Sequence, residues 1–166
     1  MESSPRRVIE PLPLLVALAV PLAVGALGGA ATSSSVRTWY PTLRKPPFNP
    51  PSWVFGPVWT ALYLLMGVAM YLVWTGARRP GGRRRVLAWW SAQLLLNLLW
   101  SVVFFGRRAI GPAFGEILVL WIAIAATIRA AAAERPAAAG LLLPYLGWTT
   151  FAATLNGSLW YLNRDR

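Results

Sequence analysis

Aromatic and amide side chains recur at helical spacing in three apolar stretches of this 166-residue chain. Trp59, Tyr63 and Met66 form one set, Gln93, Asn97 and Trp100 a second, and Trp148, Ala152 and Leu155 a third. Residues at i, i+4 and i+7 share one face of a helix, so each set is a stripe. If the three stripes converge, they make a slot with flat apolar walls and a few hydrogen-bonding groups, the usual composition of a small-molecule site. A large planar ligand would fit such a slot. The same residues also have a plainer use. Deep tryptophans pack cores, and Gln93, Asn97 and Asn156 can each bond a neighbouring helix for about 0.6 to 2 kcal/mol.

What the chain lacks bounds its chemistry. It has no Cys and no His. Thiolate nucleophiles, disulfides, zinc sites and imidazole bases are therefore absent, and ordinary hydrolytic mechanisms are not expected. No metal site is expected. A bound haem would lack its usual His or Cys axial ligand, leaving Tyr and Met, and any porphyrin would be held mainly by stacking. Glu116 is the lone acid inside an apolar stretch. It is either a functional intramembrane carboxylate or, one turn from Pro112, a group that snorkels to the interface.

The elements that position these residues are membrane spans. Hydrophobic residues make up 57% of the chain and charged residues 13%. A helix needs roughly 20 mostly apolar residues to cross the hydrocarbon core. Runs of that kind occupy residues 12–31, 53–74, 86–105, 111–128 and 137–162. Short basic or proline-rich connections separate them, so chain neighbours run antiparallel. The expected fold is an all-α membrane protein, a five-transmembrane-helix bundle forming one domain over residues 1–166. Arg6 and Arg7 ahead of the first run also suit a cleaved secretory signal, but the run is long for one. Trp53, Trp74, Trp89, Trp90 and Trp160 lie near span ends, where tryptophans anchor at the headgroups. Trp59, Trp100, Trp121 and Trp148 lie deeper.

The formal net charge is +11. The basic residues sit in the turns rather than along one folded face, which argues for lipid headgroups as partners and against nucleic acid. Arg6, Arg7, Arg78, Arg79, Arg83, Arg84, Arg85, Arg129 and Arg135 fall on the N-terminal side. Arg37, Arg44, Lys45, Arg107, Arg108, Arg164 and Arg166 fall on the other. The dense block at residues 78–85 favours a cytoplasmic N-terminus with the 37–51 loop outside.

That loop, with the start of the second span, carries the most specific local sequence, Trp39-Tyr40-Pro41-Thr42-Leu43-Arg44-Lys45-Pro46-Pro47-Phe48-Asn49-Pro50-Pro51-Ser52-Trp53-Val54-Phe55-Gly56-Pro57-Val58-Trp59. Its prolines restrict their own φ and the residues before them, so it reads as semi-rigid. Such a loop suits either a lid with a small ordering cost on binding or a turn anchored at the headgroups by Trp39 and Tyr40. Further blocks follow in order: Ala92-Gln93-Leu94 with Asn97 and Trp100, then Phe104-Phe105-Gly106, then Pro144-Tyr145-Leu146 with Trp148, Ala152, Leu155 and Asn156. Together they resemble the translocator protein family, also called peripheral-type benzodiazepine receptors and, in bacteria, tryptophan-rich sensory proteins. The likeness runs from about Leu12 to Asn163.

The resemblance implies a five-helix fold, commonly a homodimer, with one pocket for tetrapyrroles, sterols and synthetic aromatic ligands. Carried onto this chain, it implies a ligand site of Trp39, Tyr40, Pro50, Trp59, Tyr63, Gln93, Asn97, Trp100, Trp148, Ala152 and Leu155. The leading expectation is a porphyrin- or haem-binding protein of a bacterial plasma membrane, acting in tetrapyrrole or stress sensing, with no obligate cofactor. The ligand's carboxylates would pair with Arg44 or Lys45 at the rim. Transport of tetrapyrroles or lipids is an alternative, and light-dependent porphyrin breakdown using Trp59 and Trp100 is another. Leu159-Trp160-Tyr161-Leu162-Asn163-Arg164 fits a loose sterol pattern, but vertebrate members place the tyrosine where this chain has Gly157.

Overall fold

The computed structural model describes residues 10–165. Arg6, Arg7 and Arg166, which enter the charge balance above, lie outside the described residues. Five helices account for nearly all of the rest: α1 (Pro11–Thr38), α2 (Ser52–Gly76), α3 (Gly82–Ser101), α4 (Ile110–Glu134) and α5 (Pro136–Asn163). All five are long and apolar enough to cross a membrane, and the protein is an integral membrane protein. With 20 to 28 residues each, they satisfy their backbone hydrogen bonds internally, as hydrocarbon demands.

The helices extend beyond the apolar runs, for reasons that hydropathy does not contain. α1 continues seven residues past Ala31, and there Ser33 and Thr38 return their hydroxyls to carbonyls three and four residues back rather than leaving them unpaired in the helix. The expected turn at residues 129–136 shrinks to Arg135 alone. Ala130–Ala133 are the best of helix formers and carry α4 on to Glu134. Pro136 then opens α5 at a position where its missing N–H is harmless, and Arg135 ahead of it takes the extended backbone that a proline enforces.

Packing order differs from chain order. α1 lies on α2, α2 on α5, α5 on α4, α4 on α3, and α3 returns to α1. The α1–α2 seam is close at one point. Pro21 has no N–H to offer the Ala17 carbonyl, and Gly67 of α2 sits against that oxygen. A β-carbon on Gly67 would stand 2.7 Å from Ala17 O and 2.9 Å from Leu18 Cα, both backbone atoms.

At one end of the bundle Glu134 ties three helices together. Its carboxylate is buried, and Oε2 accepts the backbone N–H groups of Arg78 (2.8 Å) and Arg79 (3.0 Å) in the α2–α3 turn. Gly81 turns that corner with φ +75°, and Gly82 leaves room for the carboxylate where any side chain would collide with it. At the other end α3 widens into a π-helical turn at Val102–Gly106. Of the tryptophans placed near span ends, Trp53, Trp74, Trp89 and Trp160 are exposed as a headgroup belt requires. Trp90 is not. It is buried in the core and its indole N–H donates to Met66 O at 3.2 Å. Trp121, expected deep, instead lies on the lipid-facing surface, where it donates to Thr150 Oγ1 at 2.8 Å.

Candidate ligand-binding cavity

A cavity of about 520 Å³ opens inside the bundle, within the size range of small-molecule sites. Trp59 and Tyr63 of α2, Asn97 and Trp100 of α3, and Trp148, Ala152 and Leu155 of α5 all line it. The three stripes therefore do face one another. The fourth wall is α1, through Gly25, Gly28, Gly29 and Thr32. Tyr40, on the short 3-10 turn Tyr40–Thr42, reaches the cavity from the α1–α2 loop.

The walls are flat and mutually braced. Trp59 stacks on Tyr63 with ring centroids 5.6 Å apart, and Trp100 stacks on Phe104 at 5.2 Å. Phe55 meets Trp148 edge-on at 5.9 Å. Rings held this way gain from their quadrupoles beyond simple burial and keep their faces fixed. Phe104 and Phe105 both reach the cavity from the π-helical turn. The wider turn changes the angular step between successive residues, as π-bulges near functional sites commonly do.

Hydrogen bonds between helices fix the polar groups. Tyr63 OH donates to Asn97 Oδ1 at 2.7 Å, and Asn97 Nδ2 donates to Tyr145 OH at 3.3 Å, so α2, α3 and α5 share one chain of bonds. Trp100 Nε1 donates to Asn156 Oδ1 at 3.0 Å, and Asn156 Nδ2 donates to Ile110 O at 2.9 Å. Trp148 Nε1 is buried and has no partner, a donor left over on the wall. In the loop, Tyr40 OH donates to Asn49 Oδ1 at 2.6 Å, and burial pushes the Tyr40 hydroxyl up to about 12. It therefore stays protonated across the physiological range.

Four residues of the anticipated stripes and loop lie off this cavity. Trp39 packs edge-on against Phe104 at 5.7 Å, behind the wall. The Pro50 carbonyl accepts Asn49 Nδ2 at 2.9 Å and shapes the loop. Gln93 is buried, with Nε2 donating to Trp90 O at 2.9 Å, and Met66 is fully buried in the core. Gln93 and Met66 sit about one helical turn deeper than the cavity floor, which Asn97 and Tyr63 form. Conversely, the α1 wall and Phe55 line the cavity outside the three stripes. The signal for α1 was present as Gly25-Ala26-Leu27-Gly28-Gly29, but small residues at that spacing read equally as a helix–helix contact.

Arg44 and Lys45 stand at the loop. Arg44 is pinned through its backbone, its N–H donating to Asn163 Oδ1 and its carbonyl accepting Asn163 Nδ2, both at 3.0 Å. Lys45 Nζ lies 5.0 Å from the centre of the Tyr40 ring. Among the described residues no group of His, Cys, Asp and Glu side chains is arranged to hold a metal.

The sequence matches the model of the TspO/MBR family over residues 17–162. It is 41% identical to the tryptophan-rich protein TspO of Archaeoglobus fulgidus over 92% of this chain and 97% of that one. It is 44% identical to the human translocator protein over 74% of this chain and 73% of that one. It is 38% identical to the tryptophan-rich sensory protein of Cereibacter sphaeroides, covering 86% of this chain and 90% of that one. The archaeal and bacterial relatives fit a plasma-membrane location. Matched by the family model over residues 17–162, and built of five helices long and apolar enough to cross a membrane, this protein belongs to the TspO/MBR family.

Proposed function

We propose that this protein binds porphyrin-type tetrapyrroles in the aromatic cavity and acts in tetrapyrrole sensing or regulation. One observation carries the reading: Trp59, Trp100 and Trp148 border a single cavity with Tyr40 at its mouth. Flat rings on several sides suit a planar macrocycle better than a flexible chain, because stacking rewards a rigid π-face. Other planar hydrophobic molecules, sterols included, fit the same walls less specifically. A macrocycle seated between the walls directs its carboxylates toward the α1–α2 loop, which carries the exposed Arg44. There the acids stay near water, and the several kcal/mol cost of burying each in hydrocarbon is avoided.

The test is a porphyrin titration followed by quenching of tryptophan fluorescence. Trp59→Ala and Trp148→Ala each remove a stacking face and should weaken binding by about tenfold or more. Unchanged affinity in a folded double variant would remove this site. The names of the relatives, a translocator protein and a sensory protein, point both to translocation and to sensing. Ligand flux into liposomes separates the two, since a sensor binds without net passage. Homodimerisation belongs to the same proposal. α1 turns Leu12, Leu15 and Leu27 outward, and a second copy is one partner for that face, readable by mass measurement in detergent.

A further inference from the structure

We infer that the outer face of α4 and α5 carries a second, separate binding site, for an anionic glycerophospholipid whose phosphate sits on Lys45. An open groove of about 810 Å³ runs between these helices on the side away from the aromatic cavity. Phe114, Leu118 and Trp121 form one wall and Ala153 and Leu162 the other, and Lys45 with Pro46 and Pro47 closes the end nearest the loop. Leu118, Trp121 and Leu162 are each more than a third exposed, so the groove faces the bilayer.

The hydroxyls of α5 that line the groove are already bonded within their helix. Thr150, Thr154 and Ser158 return their hydroxyls to Leu146 O, Thr150 O and Thr154 O at 2.8 to 3.0 Å. Trp121 Nε1 is satisfied by Thr150. What remains is a largely apolar trough.

Its end is the opposite. Lys45 is half-buried, and its ammonium donates to Pro41 O (3.1 Å) and Leu43 O (3.4 Å). An ammonium has three donors, so one donor and the full charge are left over. Among the described residues the single ion pair is Arg164–Asp165, so Lys45 has no carboxylate. Arg164 adds positive charge close by, its guanidinium 4.6 Å from the ring of Tyr161, which also lines the groove.

A pre-positioned cation at the head of an apolar trough matches a lipid with a charged phosphate and an acyl tail. A sterol offers only a neutral hydroxyl to that cation. A second copy of this chain is a poor match as well, because five acids stand against sixteen bases in the sequence. Glu134 is already bonded to the α2–α3 turn, and Asp165 already faces Arg164.

Native mass spectrometry of the intact protein, with phosphatidylglycerol or phosphatidylcholine added to the detergent micelle, tests this. The parent should retain phosphatidylglycerol in preference to phosphatidylcholine. Lys45→Gln should reduce that preference about tenfold, and Lys45→Arg should restore it. Thr154→Trp, at an exposed groove position, should displace both lipids, while thermal unfolding reports that each variant is folded. Equal retention of both lipids by the parent, unchanged preference in Lys45→Gln, or full retention by Thr154→Trp would each overturn the site. Displacement of phosphatidylglycerol by added sterol, or loss of a dimer with unchanged lipid in Thr154→Trp, would assign the face to those occupants instead.

Discussion

The bond between Tyr63 and Asn97 is the most direct test of how the cavity is held open. Tyr63 OH donates to Asn97 Oδ1 at 2.7 Å, and the two residues are 9% and 2% exposed. A bond between transmembrane helices contributes about 0.6 kcal/mol on average and up to about 1.7. Stranding a buried donor raises the loss toward about 1 to 3 kcal/mol. Asn97→Leu strands the Tyr63 hydroxyl and also breaks the 3.3 Å bond to Tyr145, so it belongs at the upper end. Tyr63→Phe keeps the ring that stacks on Trp59 and should cost about 1 kcal/mol. Combined, the two substitutions should cost less than their separate losses by about 1 kcal/mol, because the second has no bond left to break. Equilibrium unfolding in mixed micelles of rising sodium dodecyl sulfate reads all four corners of the cycle. Strict additivity would show that the bond contributes nothing and would refute the argument that it orients the cavity wall.

Other outcomes follow from the same geometry. Glu134→Ala removes the acceptor of two backbone N–H groups in the α2–α3 turn and should lower stability in the same assay, with Glu134→Gln recovering part of the loss. No loss would mean that water replaces the carboxylate. Gly67→Ala should lower the melting temperature through an overpacking cost of about 1 to 3 kcal/mol, because its β-carbon meets α1 backbone that cannot turn aside. A neutral result would show that the α1–α2 seam yields. Raising pH should leave Tyr40 protonated until about 12, whereas unfolded tyrosine ionises near 10. Its folded form thus holds a proton that the unfolded form gives up, and stability should fall as pH rises through that window. In Tyr40→Phe a tyrosinate absorbance titration should lose one tyrosine's amplitude near pH 12 and none near 10.

Much of the fold could be read without coordinates. Five apolar runs of about 20 residues define five spans, because only a helix of that length satisfies its backbone while crossing hydrocarbon. The residues bordering the cavity from α2, α3 and α5 were also legible, since Trp59 and Tyr63, Asn97 and Trp100, and Trp148, Ala152 and Leu155 keep helical register along straight segments. Helix ends were not. Ala130–Ala133 continue α4 beyond the point where hydropathy stops, because backbone propensity acts there independently of lipid.

Only the tertiary structure decided which side of each helix faces protein. In water an apolar stripe marks the buried face, but in a bilayer the lipid-facing side is apolar too, so periodicity loses its meaning. Trp90 and Trp121 show the consequence: the one near a span end is buried against Met66, and the one deep within a span looks out at lipid. Gly25, Gly28 and Gly29 became a cavity wall for the same reason, because the packing of α1 on α2 and α3 determines whether a glycine admits a neighbouring helix or a ligand. Sequence determined the spans and the chemistry they carry. The order of helices around the bundle, and with it the shape of the cavity, came from side-chain packing between segments far apart in the chain.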